Sequence, residues 1–221
     1  MRILELELLS KDLEQTEHFY ANILGFTKLS ANSNELSFAV GASKLTFRKT
    51  QQTENPVYHF AFNIAPNLLA SAQAWLSQRL ELLPINEENT LVAHFEDWNA
   101  NSVYFLDNNQ NVVEFIARHD LPSVETHDFS TAGIYSLSEF GVVLPAHIIE
   151  TASDWAKKYQ LPLFRNLHPH ANFTTLGTNE GILIFAHQDR PWFPTHIKAQ
   201  PHWARINISS KGGMFEIEPP I

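Results

Sequence analysis

The chain contains three segments in which apolar and polar residues first alternate and then recur with helical spacing. They occupy residues 2–25, 57–80 and 134–159. In each, the period-two alternation predicts a half-buried strand, and the later apolar spacing predicts an amphipathic helix that packs on that strand. Short alternating stretches follow each helix and predict further strands. The pattern therefore predicts repeated β-α-β-β-β units.

The joints between strand and helix carry helix-start signals. Asp12 is the predicted N-cap of the first helix, with Gln15 at the capping-box position. Pro66 and Pro145 stand where the second and third helices open. These residues predict that each helix begins soon after its strand ends.

The fourth repeat is cut short. The strands predicted after the three helices lie at residues 35–40, 44–50, 90–95, 102–106, 112–117, 172–177 and 182–187. Residues 203–208 and 214–217 then predict two more strands, with no helix between them. The polar, turn-rich stretch 119–132 predicts a linker, which gives an α+β protein of two domains, 1–118 and an abbreviated 133–221.

Composition narrows the functional classes. Of the 221 residues, 44% are hydrophobic and 12% aromatic, enough for a sizeable core. The net charge of −9 argues against a nucleic-acid partner, and no apolar run approaches the roughly 20 residues that a membrane span needs. The N-terminal residues do not have the pattern of a secretory signal. The absence of cysteine excludes disulfides, thiolate metal sites and a cysteine nucleophile, and fits a cytoplasmic protein.

Polar side chains occupy the face of each first strand that does not pack on a helix. This face carries Glu5 and Glu7 in the first unit, His59 and Asn63 in the second, and Glu139 in the third. Since strands flank this face on both sides, we expect a curved sheet that lines a cavity.

Two carboxylates and one imidazole are predicted to converge in this cavity: Glu5, His59 and Glu114. Ionised carboxylates are seldom buried without a partner, because desolvation costs too much free energy. A divalent metal ion would satisfy all three groups. The alternatives are a protonated His59 that bridges the carboxylates, or a cavity filled with water.

Three stretches resemble a known superfamily: LLSKDLEQTEHFYANILGF, NSVYFLDNNQNVVEFIAR and GILIFAHQDRPWFPT. They are similar to strand–helix joins and strand–turn–strand endings of the vicinal-oxygen-chelate superfamily, which includes glyoxalase I, bleomycin- and fosfomycin-resistance proteins and extradiol dioxygenases. The resemblance covers essentially the whole chain, except that the short fourth unit matches poorly. It implies two glyoxalase-like domains with curved mixed sheets around a cavity, as a monomer or homodimer.

The resemblance also implies a set of ligands. In metal-using members the ligands come from the first and last strands of two paired units, which here gives Glu5, Thr46, His59 and Glu114. Thr46 departs from the pattern, because a hydroxyl is not an ordinary ligand. The resemblance therefore implies a divalent Fe, Mn, Ni or Zn ion on three residues, with Glu5 or Glu114 as a catalytic base.

Further residues are expected around the cavity. The predicted substrate-cavity residues are Glu7, Thr46, Asn63, Asn101 and Tyr104. We expect Glu139 to pair with Arg205, so that the second domain holds no metal. The stretch 190–193 is interpreted as a lid or anion contact or, preferably, as a loop that plugs the second domain.

Three functions follow from these features. The first is a metal-dependent enzyme of the vicinal-oxygen-chelate type, a lyase, isomerase or ring-cleaving dioxygenase that acts on a small oxygenated molecule in the first-domain cavity. The second is a metal-free small-molecule binding protein of the bleomycin-resistance type. The third is a structural or partner-docking role in which the cavity has no function.

Overall fold

The computed structural model describes residues 1–52, 55–121 and 125–220, and within these ranges the chain forms thirteen strands in one mixed sheet. Residues 122–124 of the predicted linker 119–132 lie outside the described residues, as does residue 221 of the predicted second domain. The strands are β1 (Arg2–Ser10), β2 (Thr27–Ala31), β3 (Glu35–Val40), β4 (Ser43–Lys49), β5 (His59–Ile64), β6 (Ala93–Phe95), β7 (Ala100–Leu106), β8 (Val112–Arg118), β9 (Ile134–Leu144), β10 (Phe173–Thr178), β11 (Gly181–His187), β12 (Arg205–Ser210) and β13 (Gly213–Ile217). The helices are α1 (Leu13–Glu17), α2 (Leu69–Ser77) and α3 (Ile148–Lys158).

The strand order reproduces the predicted repeat. In the first unit the order is β1-β4-β3-β2 and in the second β5-β8-β7-β6, and in both the first and last strands pair in parallel. The third unit pairs β9 with β11 in parallel, and β10 adds to its edge. The fourth is the hairpin β12–β13. The predicted α+β fold of β-α-β-β-β units, with a truncated last unit, is confirmed.

The order of the units in the sheet differs from their order along the chain. Strand β1 of the first unit pairs antiparallel with β12 of the fourth. Strand β5 of the second unit pairs antiparallel with β9 of the third. Neighbouring strands thus come from opposite sides of the predicted linker, and the candidate site is built from the second and third units.

Helix α1 begins as its sequence predicts. The Asp12 carboxylate accepts hydrogen bonds from the backbone amides of Glu14 and Gln15, each at 3.0 Å, and a third from the Gln15 side chain at 2.9 Å. These bonds satisfy donors that a helix N-terminus leaves free. The predicted first helix continues after α1 through His18–Ile23, but this segment is π-helical, a form that the helical spacing did not predict.

Each face of the sheet packs against its own apolar cluster. On β5, Phe60 and Phe62 enter a large core together with side chains from all three helices. On β11, Ile182 and Ile184 belong to a separate apolar cluster on the opposite face. Because side chains alternate along a strand, residues between the core positions must face this second cluster. None of the helices in the described ranges is long and apolar enough to cross a membrane.

Candidate metal centre

Three buried side chains meet on the face opposite the helices: His59 on β5, Glu114 on β8 and Glu139 on β9. We call them the buried triad. The sheet register brings them together, because Ala61 on β5 pairs with Glu114 on one side and with Glu139 on the other. A methyl group at this central position leaves room above the strand for both carboxylates. His59 lies two residues earlier on the same face.

The spacing within the triad fits donors around one ion. His59 Nε2 lies 3.7 Å from Glu114 Oε2 and 4.0 Å from Glu139 Oε2, and one ligand atom of each residue lies within 4.8 Å of the others. These distances are too long for hydrogen bonds. Two atoms bound to one ion at ~2.0–2.2 Å lie at most about 4.3 Å apart. The two histidine–carboxylate distances are therefore compatible with a shared ion.

The orientation of the His59 ring suits coordination of a metal ion. Its Nδ1 lies 2.9 Å from the backbone oxygen of Val112, to which it donates as a neutral ring, and this leaves Nε2 as an acceptor. Burial lowers the pKa of His59 to about 4, and the nearby positive charge of Arg190 acts in the same direction. A neutral imidazole at neutral pH argues against the protonated His59 bridge considered from the sequence.

A buried arginine holds Glu139. The guanidinium of Arg118 donates from Nη2 to Glu139 Oε1, and its Nε donates to Ser138 Oγ at 3.2 Å. The same guanidinium lies 5.6 Å from the ring centroid of Trp98. One carboxylate oxygen of Glu139 is thereby bound to Arg118, and the other is left toward His59.

The two carboxyl groups have different proton affinities. Burial, together with the nearby charge of Glu139, raises the pKa of Glu114 to about 8. Burial also raises the pKa of Glu139, but the charge and hydrogen bond of Arg118 oppose this rise. The pair therefore holds a proton at neutral pH, mainly on Glu114, when no cation is bound. A cation that binds the triad would displace that proton.

Glu5 lies elsewhere, which corrects the predicted ligand set. Its carboxylate receives a 2.8 Å hydrogen bond from Thr46 and a 3.3 Å bond from Asn207, and it lies 2.9 Å from Lys44 Nζ. Burial alone would raise the pKa of Glu5, but these donors lower it. The reason is the pairing of units, since β1 lies between β4 and β12 and not beside β5. Glu139 stands in the cluster where Glu5 was expected.

Glu7 and Arg205 belong to that same charged region. Glu7 is buried and pairs with Arg48 at 2.6 Å and with Arg205 at 3.7 Å. Arg205 also binds Glu218 at 2.8 Å. The predicted Glu139–Arg205 pair is therefore wrong.

The triad opens into a cavity of about 310 Å³. Its lining is mostly aromatic: His59, Phe95, Trp98, Tyr104, Glu114, Glu139, Phe173, Ile184, Arg190, Trp192 and Phe193. Of the five predicted substrate-cavity residues, Tyr104 lines it. Asn63 lines a different cavity, and Asn101 hydrogen-bonds to His94 at 2.8 Å. Glu7 and Thr46 lie in the charged region around β1.

The sequence reasoning missed how the wall of this cavity is built. Trp192 lies against the sheet at Gly141, where an added Cβ would come within 2.5 Å of the indole. The Trp192 ring lies 5.1 Å from the His59 ring. The glycine two residues after Glu139 was the available signal, because a strand position without a side chain often marks a close approach.

The second unit supplies two side chains that could bind a metal ion, His59 and Glu114, and the third unit supplies one, Glu139. Ile184 on β11 pairs with Gly141 on β9, in the same relation as Glu114 on β8 to Ala61 on β5. An isoleucine offers no ligand atom. Among the described residues this cluster therefore offers three candidate ligands, which would leave coordination positions of a bound ion for water or a substrate.

Comparisons with known proteins support the fold. No protein-family model matches the sequence, and none of the curated proteins matches it. A solved structure of a candidate dioxygenase from Bacillus subtilis superposes with a TM-score of 0.62 at 12% identity, covering 99% of this chain and 85% of the other. The chain thus shares the fold of this structure over nearly its whole length, which agrees with the fold that the sequence resemblance implied.

Smaller proteins match part of the chain. A glyoxalase/bleomycin resistance protein/dioxygenase from Nocardioides covers 59% of this chain and 90% of its own length, with 22% identity and a TM-score of 0.45. A fosfomycin resistance protein from Listeria monocytogenes, solved with Mn(II) and sulfate, covers 52% of this chain and 86% of its own, with 21% identity and a TM-score of 0.40.

Proposed function

We propose that this protein is a metal-dependent enzyme of the vicinal-oxygen-chelate type, and that His59, Glu114 and Glu139 hold its divalent ion. One observation carries the proposal: three buried donor groups converge at the floor of a cavity, and Ala61 leaves the space between them open. Two carboxylates and one imidazole suit Mn²⁺, Fe²⁺, Ni²⁺ or Zn²⁺. The reaction is that of a lyase, isomerase or ring-cleaving dioxygenase on a small oxygenated molecule.

The bound ion would act as a Lewis acid that polarises two neighbouring substrate oxygens. The protein contributes proton transfer and a dry, shaped site. In the metal-free site, burial and the charge of Glu139 raise the pKa of Glu114 to about 8, and a bound ion would displace its proton. With the ion in place, Glu114 would act as a carboxylate base that takes up a substrate proton at an oxygen released from the ion. Burial and the nearby Glu114 carboxylate hold the pKa of Tyr104 well above its usual value, so its hydroxyl stays a donor. The aromatic walls exclude water and strengthen these interactions.

The proposal is tested by metal content. Wild-type protein purified without an affinity tag from Mn²⁺-, Fe²⁺-, Ni²⁺- and Zn²⁺-supplemented medium should carry about one divalent ion per chain. His59→Ala should lose the ion, because only two donors remain. His196→Ala, an exposed histidine outside the cavity lining, is the matched control and should keep it. A wild-type protein without metal, unchanged by added metal, would overturn the proposal.

A metal-free binding function remains the second candidate, and the cavity itself favours it. A volume of about 310 Å³ behind aromatic walls is at the small end of ligand sites and can hold a planar molecule without an ion. Thermal stabilisation by a ligand that persists in EDTA would support this function. Stabilisation that appears only with metal would exclude it. Because side chains do not fill this cavity, it gives no support to the purely structural role considered from the sequence.

A further inference from the structure

The cavity contains a positive charge that is not neutralised nearby. Arg190 lines the wall, about half buried, and its guanidinium lies 4.6 Å from the ring centroid of Phe173. Within the described part of the chain, no carboxylate forms an ion pair with Arg190. The adjacent Asp189 does not, since it accepts a hydrogen bond from Gln200 at 3.0 Å and lies 3.7 Å from Lys198 Nζ. Burial lowers the pKa of Arg190.

The segment that carries Arg190 is held in place. Backbone hydrogen bonds run from Asp189 to Ala199 and from Ala199 to Arg190, each at 2.8 Å. A further 2.8 Å bond joins Trp192 to Ile197. We call residues 189–199 the arm. These bonds fix the arm as a folded-back loop, so that its side chains form a preset wall and need little ordering when a ligand binds.

The same arm supplies part of an aromatic lining. The Phe193 ring lies 5.5 Å from Tyr104 and 6.0 Å from Phe95, centroid to centroid. Trp192 covers the sheet at Gly141. Rings at these separations and tilts leave faces and edges on which a planar ligand can pack. The wall therefore favours an aromatic ring over a flexible polar chain.

The charges of the site favour an anion. Arg118 is already matched by Glu139. Among the described residues, neither carboxylate of the triad forms an ion pair with Arg190, so its guanidinium is left to bind a negatively charged ligand group. A guanidinium in a partly desolvated aromatic site is well suited to a planar carboxylate, which it can bind with two parallel hydrogen bonds.

We propose that the cavity accepts a small aromatic molecule with an acidic group such as a carboxylate, and that Arg190 pairs with that group while the ring packs against the arm. This proposal names the ligand class of the site described under Proposed function and rests on it for the location of the substrate. It also decides between the two interpretations of residues 190–193 from the sequence, in favour of an anion contact. The contact and the preference for anions do not require the metal.

The test compares benzoate with benzamide, which share size and shape and differ in charge, by isothermal titration calorimetry. Each is titrated into the full chain in EDTA and, separately, in Mn²⁺. We expect benzoate to bind at least tenfold more tightly than benzamide under both conditions, with the larger ratio in Mn²⁺. Arg190→Gln should weaken benzoate about ten- to a hundredfold and leave benzamide nearly unchanged, as expected for loss of a charge-assisted hydrogen bond.

Two further variants keep the test decisive. Arg190→Lys retains the charge and should keep part of the preference for benzoate, even if Arg190→Gln fails to fold. Arg79→Gln removes a surface arginine that also lies over an aromatic ring, Trp75 at 4.0 Å, and should change nothing. Equal affinities for benzoate and benzamide, an absence of binding by either, or a benzoate affinity that Arg190→Gln leaves intact would each overturn the inference.

The outcome separates this inference from the proposed function. If Mn²⁺ does not bind but benzoate is preferred through Arg190 in EDTA, the metal-dependent enzyme is refuted and the ligand class stands. If Mn²⁺ binds through His59 but benzoate is not preferred, the enzyme stands and the ligand class is refuted.

Discussion

The proton held by the buried carboxyl pair should make the metal-free protein less stable as pH rises. Burial and the charge of Glu139 raise the pKa of Glu114 from 4.5 to about 8 in the folded state. A group whose folded pKa is raised contributes stability that is complete below its unfolded pKa and is lost as pH rises through the folded value. The free energy of unfolding should therefore fall between about pH 4.5 and pH 8.

The size of the effect follows from the same values. At about 1.4 kcal/mol per pH unit, the interval from 4.5 to about 8 corresponds to a few kcal/mol in total, of which on the order of 3 kcal/mol falls between pH 5 and pH 8. Glu114→Gln keeps the shape of the side chain and cannot ionise. The variant should lose most of this slope.

Urea denaturation in EDTA at pH 5, 6, 7 and 8 measures the slope. The matched control is Glu180→Gln, an exposed glutamate paired with Arg2, which should leave the slope of the wild type unchanged. Addition of Mn²⁺ to the wild type should remove the slope, because the ion compensates the ionised carboxylates. A flat wild-type profile in EDTA, or equal slopes in wild type and Glu114→Gln, would refute the reasoning.

Two further predictions concern packing around the site and in the core. The buried Tyr20 hydroxyl donates to Asp107 Oδ2 at 2.7 Å. Tyr20→Phe should therefore lower the free energy of unfolding by about 1.5–3 kcal/mol and lower Tm by roughly 3–12 °C in a thermal melt. An unchanged Tm would show that this hydrogen bond does not stabilise the protein. Gly141→Ala should displace Trp192 and destabilise the protein by about 1–3 kcal/mol, with a changed tryptophan emission spectrum. An emission spectrum and unfolding free energy equal to those of the wild type would contradict the close approach.

Much of the fold could be predicted from local patterns. Alternation located strands such as β1 and β5, and Asp12 located the start of α1, because these signals depend on neighbouring residues alone. The half-buried strand predicted for the second unit is wrong in its burial, since β5 is buried on both faces. Strand β2, Thr27–Ala31, was missed because it is exposed along its whole length and has no apolar alternation. Apolar spacing also predicted a helix over His18–Ile23, but it did not indicate the π-helical form that the segment takes.

The site could be predicted only in part, for a different reason. Two members of the buried triad, His59 and Glu114, were named from the sequence because both belong to one unit. The third depended on which units lie side by side, and strand periodicity does not contain that information. The partner of Glu139 was missed for the same reason, since Arg118 stands at the end of a strand on the far side of the predicted linker.

The measurement that tests the central claim most directly is the metal content of two carboxylate variants, Glu139→Gln and Glu5→Gln, beside wild type. We predict that Glu5→Gln retains about one divalent ion per chain, because Glu5 is bound by Lys44 and Thr46 away from the triad, and that Glu139→Gln loses the ion. An ion that survives in Glu139→Gln and disappears in Glu5→Gln would contradict the account.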